Sequence, residues 1–268
     1  MKKRFVTIIR SISFLICLTI QAIQVYAQDK AEKTKVNISV VGGAGIPIGN
    51  YSIYGSSVAY GNTTQHAYCE TGYFVTAEAG IKLRKQFGLY VSGGFNNNSK
   101  NTAYFQSDFQ TNNPNWNNAN VYTYNPTTKS NQIISYFAGV TYTIPVKIVL
   151  VDFKLGLGLI NSSNGSMQCN VIYSVPNSTY SQLAYSYTST MINKSEAGFN
   201  GGLNIRYNHT KRIGFKLSVN YYQTFSDKST RNETVVNYLH PANSSQTNSK
   251  VTYSINLLNI GAGIILNL

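Results

Sequence analysis

The sequence predicts an all-β fold: an eight-stranded antiparallel up-and-down transmembrane β-barrel, with four long loops on one side and three short turns on the other. Three observations carry this. Charged residues make up only 12% of the 268-residue chain, about half the share usual in soluble domains. Aromatic residues reach 13%, with 21 Tyr against one Trp. Beyond residue 27 no run approaches the roughly 18 apolar residues of a spanning helix. Helical membrane proteins and ordinary charged soluble enzymes are therefore excluded, and strands in contact with lipid remain.

The chain opens on a basic cluster, Met1-Lys2-Lys3-Arg4, followed by the mostly apolar stretch from Phe5 to Ile23. Val25 and Ala27 supply the small residues that a signal peptidase reads, so residues 1–27 read as a cleaved signal peptide. Residues 28–34 read as a short periplasmic N-terminal segment and 35–268 as the barrel. The formal net charge is +13. Four of the basic residues leave with the leader, and no basic helix or RNA-binding motif is present, so nucleic acid is not an expected partner.

Each strand follows from alternation. The first runs through Val36, Ile38, Val40, Gly42, Ala44, Ile46 and Ile48. In the second, Tyr73, Val75, Ala77, Ala79, Ile81 and Leu83 share one face, opposite Thr76, Glu78, Gly80 and Lys82. A tight turn leads to the third, with Phe87, Leu89, Val91, Gly93 and Phe95. The fourth carries Ile134, Tyr136, Ala138, Val140, Tyr142 and Ile144, and the fifth Val149, Val151, Phe153, Leu155, Leu157 and Leu159. The sixth and seventh pair Phe199, Leu203, Ile205 and Tyr207 with Ile213, Phe215, Leu217, Val219 and Tyr221, turning at 209–212. The last spans 251–268, and a one-residue slip near Leu257-Leu258 predicts a bulge there.

The polar face is too small and glycine-rich to clothe a soluble exterior, so the apolar face is assigned to lipid. It ends in aromatics: Tyr73, Phe95, Tyr136, Phe199, Tyr221 and Tyr253 toward the loops, and Phe87, Tyr142, Tyr207 and Phe215 toward the turns. Paired aromatic girdles around an apolar band mark a transmembrane barrel. Such a sheet must close, because an open edge would leave unpaired backbone groups in hydrocarbon. Eight strands return the chain to its starting side, so both ends and the short turns are expected in the periplasm and the long loops outside. The turns carry Arg84, Lys85, Lys147, Lys211 and Arg212, a basic rim suited to the phospholipid headgroups of the inner leaflet.

The opening strand Gly42-Gly43-Ala44-Gly45-Ile46-Pro47-Ile48-Gly49, the glycine-rich alternating hairpins and the closing C-terminal strand resemble the eight-stranded outer-membrane barrels of the OmpX, OmpA-barrel and PorT-like kind. The resemblance covers the whole chain after the leader. Tyr/Asn-rich loops and the Pro47 to Asn50 strand end look most like barrels of Bacteroidota-type envelopes. It implies residence in the outer membrane of a Gram-negative bacterium, among outer-membrane lipid and lipopolysaccharide, and insertion by the barrel-assembly machinery. The chain departs from the pattern by ending in Leu268 rather than an aromatic residue.

Site chemistry is sparse. Gly43, Gly45 and Gly49 neither follow a strand nor open a helix, so they are no phosphate loop. His66, His209 and His240 are scattered, and Cys69 and Cys169 lie far from any further ligand, so neither a metal nor another cofactor is expected. His66 and His240 with Asp108, Asp227, Glu70 and Glu233 contain no motif that would tie them into a catalytic set. The lumen face holds Glu78, Lys82, Asp152, Lys154, Arg206 and Lys216, expected as a salt-bridged cluster that plugs the barrel, with Glu196 placed higher, near the loops. Glycines on that face (Gly80, Gly94, Gly156, Gly158, Gly202) either leave a narrow path or relieve crowding against Tyr90, Phe137 and Tyr222. Cys69 and Cys169 both fall on the long-loop side, where a bridge between them, free thiols, or intermolecular pairs are all open.

The loops, 51–70, 97–131, 161–195 and 226–250, are rich in Tyr, Asn, Ser and Thr. Tyr104, Phe109, Trp116, Tyr122, Tyr124, Tyr180, Tyr185 and Tyr187 are candidate contact residues, since Tyr gives contact area at low entropy cost. Alternating Tyr/Ser runs there are also compatible with a sheet standing above the membrane. The functional expectation is a non-enzymatic barrel presenting this surface to an extracellular protein or glycan, for adhesion, envelope integrity or partner binding. The alternatives are a narrow channel or carrier of the OmpW-like kind, and a PorT-like part in secretion or envelope assembly.

Overall fold

A computed structural model describes residues 36–51, 68–84, 86–112, 122–163, 165–174, 181–191, 194–225, 228–239, 241–252 and 254–268. The proposed leader, the 28–34 segment, His66, Lys85, Trp116, Tyr180, Asp227, His240 and Tyr253 lie outside these residues. The strands are β1 (Val36–Pro47), β2 (Gly72–Lys82), β3 (Phe87–Asn98), β4 (Tyr122–Thr128), β5 (Asn131–Val146), β6 (Val149–Ser163), β7 (Ser166–Ser174), β8 (Ser181–Met191), β9 (Lys194–Asn208), β10 (Ile213–Thr224), β11 (Lys228–Asn237), β12 (Ser245–Thr252) and β13 (Asn256–Asn267). An α-helix, α1 (Thr102–Asn112), lies between β3 and β4.

Eight of these strands close into a barrel, in the order β1-β13-β10-β9-β6-β5-β3-β2. Closure is made by β1 against β13, antiparallel from Asn37 opposite Asn267 to Pro47 opposite Leu257. The strands alternate because each faces lipid on one side and lumen on the other. Val40, Val91, Leu155, Leu157, Leu217 and Ile264 are each more than half exposed on the outside, while Ser39, Asn96, Lys154 and Asn204 between them are buried. Strands of 11 to 16 residues, tilted as barrel strands are, span a bilayer core of about 30 Å. The girdles are in contact within themselves: Tyr73 with Phe95 at 6.2 Å between centroids, Phe199 with Tyr221 at 5.8 Å, and Phe87 with Tyr142 at 5.0 Å.

The turns are short at one end only. Lys147-Ile148 alone separates Val146 from Val149, with Lys147 at φ 51°. At the β9–β10 turn, the Thr210 hydroxyl accepts the backbone N–H groups of Arg212 and Ile213 at 3.2 and 2.9 Å.

The opposite end builds a second sheet, ordered β12-β11-β8-β7-β4. Its strands continue barrel strands after breaks of two or three residues, β4 into β5, β6 into β7, β8 into β9, β10 into β11 and β12 into β13. Met167, Cys169 and Val171 of β7 turn one face toward Tyr68 and Phe105, with Tyr122, Tyr124, Tyr185 and Tyr187 packed beside them. The opposite face carries Thr123, Asn125, Thr127, Gln168, Asn170, Ser186 and Thr188, all exposed or half-buried.

The bulge expected at Leu257-Leu258 is absent: β13 pairs with β1 and β10 without a register shift. Ile255 and Leu257 are apolar yet buried inside the barrel, so the slip in alternation reflects a change in what the lumen contains, not a change in register. A one-residue offset does occur at the neighbouring joint. From Gln223–Asn256 in the barrel to Lys228–Thr252 in the second sheet, one strand advances five residues and its partner four.

Candidate functional site

The lumen of eight strands is just wide enough for side chains to fill, and here they do. Near the short-turn end, Asp152 accepts the Thr143 hydroxyl and an Arg206 guanidinium N–H on Oδ1, both at 2.7 Å, and Arg206 Nε lies 2.5 Å from Oδ2. Farther in, Glu78 holds two cations. Lys154 donates to Oε2, and Lys216 donates to Oε1 at 2.6 Å and to Ser39 Oγ at 3.0 Å. The Lys154 ammonium also sits 4.8 Å from the centre of the Tyr90 ring, whose hydroxyl donates to Asn200 Oδ1 at 2.9 Å.

Glu78 on β2 thus meets cations on β6 and β10, strands that are not its neighbours and that face it only across the closed lumen, whereas Asp152 on β6 meets Arg206 on the adjacent strand β9. Charges enclosed in a low-dielectric wall persist only when paired and hydrogen-bonded. Both carboxylates and Lys154 and Lys216 are buried. Lys82, by contrast, is exposed at the end of β2. Alternation assigns it a side, but at the strand end that side opens to solvent, so it stands outside the cluster. Glu196 is buried opposite Ile160, toward the long-loop end.

Above the charges the filling turns apolar. Tyr51, Cys69, Tyr90, Ile133, Phe137, Ile160, Tyr222, Ile255 and Leu257 form one buried cluster, with the Phe137 and Tyr222 rings 5.2 Å apart. Lumen glycines make room for these rings. A Cβ on Gly156 would strike the Tyr90 hydroxyl, and one on Gly158 would lie 2.7 Å from Phe137 Cδ1. At these two positions glycine accommodates the neighbouring rings. Alternation places Tyr90, Phe137 and Tyr222 on the lumen face, but the sequence reading misses Tyr51, Cys69, Ile133, Ile160, Ile255 and Leu257, which join them.

Cys69 and Cys169 are both buried and are not bonded to each other in this structure. They serve different clusters. Cys69 accepts an N–H from Asn131 at 2.9 Å in the barrel mouth, whereas Cys169 lies under Tyr68 and Phe105 in the second sheet. Burial raises both thiol pKa values, that of Cys169 to about 11.

Of the candidate contact residues, Tyr104 is exposed on α1. Tyr122, Tyr124, Tyr185 and Tyr187 are half-buried against the second sheet's core, because on an outer sheet one face still needs an apolar lining. Phe109 falls within α1. Exposed residues on the other face of the sheet instead include Thr123, Asn125, Thr127 and Gln246. Among the described residues no group of His, Cys, Asp and Glu is placed to hold a metal.

Residues 14–264 match the outer membrane protein beta-barrel domain family. No curated protein matches the sequence. Solved structures similar to the fold include a major outer membrane protein from Thermus thermophilus (12% identity, 88% of this chain and 100% of that chain, TM-score 0.44). Neisserial surface protein A is similar at 12% identity, over 90% and 100% of the two chains, with a TM-score of 0.40. Ail, the attachment invasion locus protein of Yersinia pestis, is similar at 12% identity, over 87% and 98%, with a TM-score of 0.36. A family match over nearly the whole chain and a closed eight-stranded barrel with a lipid-suited exterior lead to one conclusion: the chain belongs to the outer membrane beta-barrel domain family and is an outer-membrane protein of a Gram-negative bacterium.

Proposed function

We propose that this protein is a non-enzymatic surface scaffold, a plugged barrel that anchors a Tyr/Asn-rich extracellular sheet for adhesion, envelope integrity or partner binding. The observation that carries this is the filled lumen. The paired charges of Glu78, Asp152, Lys154, Arg206 and Lys216 lie beneath a buried apolar cluster, so a solute would have to displace both layers to pass. The built surface lies at the long-loop end, where a five-stranded sheet exposes hydroxyl and amide side chains. Such groups suit hydrogen bonding to a polar extracellular protein or glycan. Planar-bilayer recording tests the reading: the purified barrel should give no stable single-channel steps. Reproducible unitary conductance would instead establish the narrow-channel alternative. A pull-down from envelopes, with and without residues 97–131 and 161–195, separates a surface scaffold from a secretion or assembly component.

A further inference from the structure

The three short turns of the barrel carry basic residues and no acidic ones within their own segments. Segments 83–87, 146–149 and 209–213 contain Arg84, Lys85, Lys147, Lys211 and Arg212 and neither Asp nor Glu. Arg84, Lys147, Lys211 and Arg212 are all exposed. One of the three turns also has an apolar tip. Ile148 is 77% exposed, the most of any large hydrophobic residue among those described, and Val146 two residues earlier is 46% exposed.

The tip has a fixed shape, because the two-residue connection holds Lys147 in the left-handed region at φ 51°, which is uncommon for a residue with a side chain. It also continues an existing interface. The lipid-facing row of Val140 and Ile144 on β5, and of Leu155 and Phe153 on β6, runs directly into it. An isoleucine at the end of a lipid-facing row is stabilised by acyl chains rather than water. A lysine beside it, with an aliphatic stem and a charged head, reaches back to the phosphate level.

We infer that this rim is a binding surface for anionic phospholipid. The Lys147-Ile148 turn enters below the headgroups, and Arg84, Lys147, Lys211 and Arg212 lie around the phosphates. The inference rests on the reading that the short turns face the inner leaflet, and it is independent of what the long-loop sheet binds. Cations near such a surface are attracted to acidic lipid, and the attraction is screened by salt.

The full barrel, reconstituted in phosphatidylcholine bilayers with and without phosphatidylglycerol, provides the test. Binding to the folded state raises its stability by linkage, so Tm should be several degrees higher with phosphatidylglycerol at low salt. Most of that difference should vanish at high salt, and in the Arg84→Gln, Lys211→Gln, Arg212→Gln variant, whose exposed positions leave the fold intact. An Ile148→Trp substitution in a Trp116→Phe background reports depth: its emission should be lost to brominated acyl chains and spared by aqueous iodide. Equal Tm values in the two lipids would overturn the headgroup site. Quenching by iodide alone would overturn the insertion and leave the tip free for a periplasmic protein. Neither outcome bears on conductance or on capture by the outer sheet, so failure here is distinct from failure of the scaffold reading.

Discussion

Glu78 is the residue on which the lumen depends most, since one carboxylate answers two buried ammonium groups. Removing one partner of a buried ionic group leaves the other charges uncompensated, at about 3–5 kcal/mol. Glu78→Gln should therefore lower the unfolding free energy of the lipid-reconstituted barrel by an amount in that range, read from its urea transition. Asp152→Asn should also destabilise, through the unpaired Arg206. Lys82→Gln is the control, because an exposed side chain outside the cluster should change stability by only about 0.5 kcal/mol or less. Equal, small shifts in all three would reject the plug. The thiols give a second test at this scale. With Cys169 held at about 11 by burial, little thiolate is present at pH 8, and alkylation of the folded protein should be slow and accelerate as pH rises. Once unfolded without reductant, the protein should take two maleimide tags; an untagged product would restore the Cys69–Cys169 bridge.

Among elements, the barrel strands were legible one by one, and the second sheet only as an open possibility in the alternating Tyr/Ser runs. β2 and β6 could be read because their neighbours are chemically opposite: lipid outside Leu155 and Leu157, charge and amide inside at Lys154 and Asp152. The reading misled where that contrast failed, at Ile255 and Leu257, which are apolar because the lumen at their level is apolar. β4, β7, β8, β11 and β12 were not read as individual strands because Tyr, not an aliphatic row, lines much of their inner face and Thr, Ser and Asn their outer one, so the contrast between the faces is weak. α1 left one cue, Asn101 before Thr102. Its side-chain oxygen accepts the Tyr104 N–H at 2.6 Å, as an N-cap does. Five of the six lumen charges were placed by parity, but their pairing needs strand neighbours and depth, which parity does not supply. Packing between β3 and β6 makes a prediction of its own. Gly156→Val forces a side chain against Tyr90 and should cost about 1–3 kcal/mol. Adding Tyr90→Ala should recover part of that loss, and strictly additive effects in this double-mutant cycle would refute the contact.

For the molecule as a whole, orientation governs every functional reading. Protease added to intact cells should cut within 97–131 or 161–195 and spare 84–86 and 209–212; the reverse pattern would mean that the sheet faces the periplasm. The manner of attachment then has a mechanical consequence. Five strands of the outer sheet join five strands of the barrel through links of two or three residues, and the barrel ring itself is continuous. A tug on the outer sheet is therefore divided among five short tethers on five consecutive strands of the ring, and reaches the membrane as a load shared along that arc. One long flexible loop would concentrate the same force at two anchor points and stretch before it bore any. Under the proposed scaffold role, such joints would pass shear on the sheet to the barrel with little change in the shape of either.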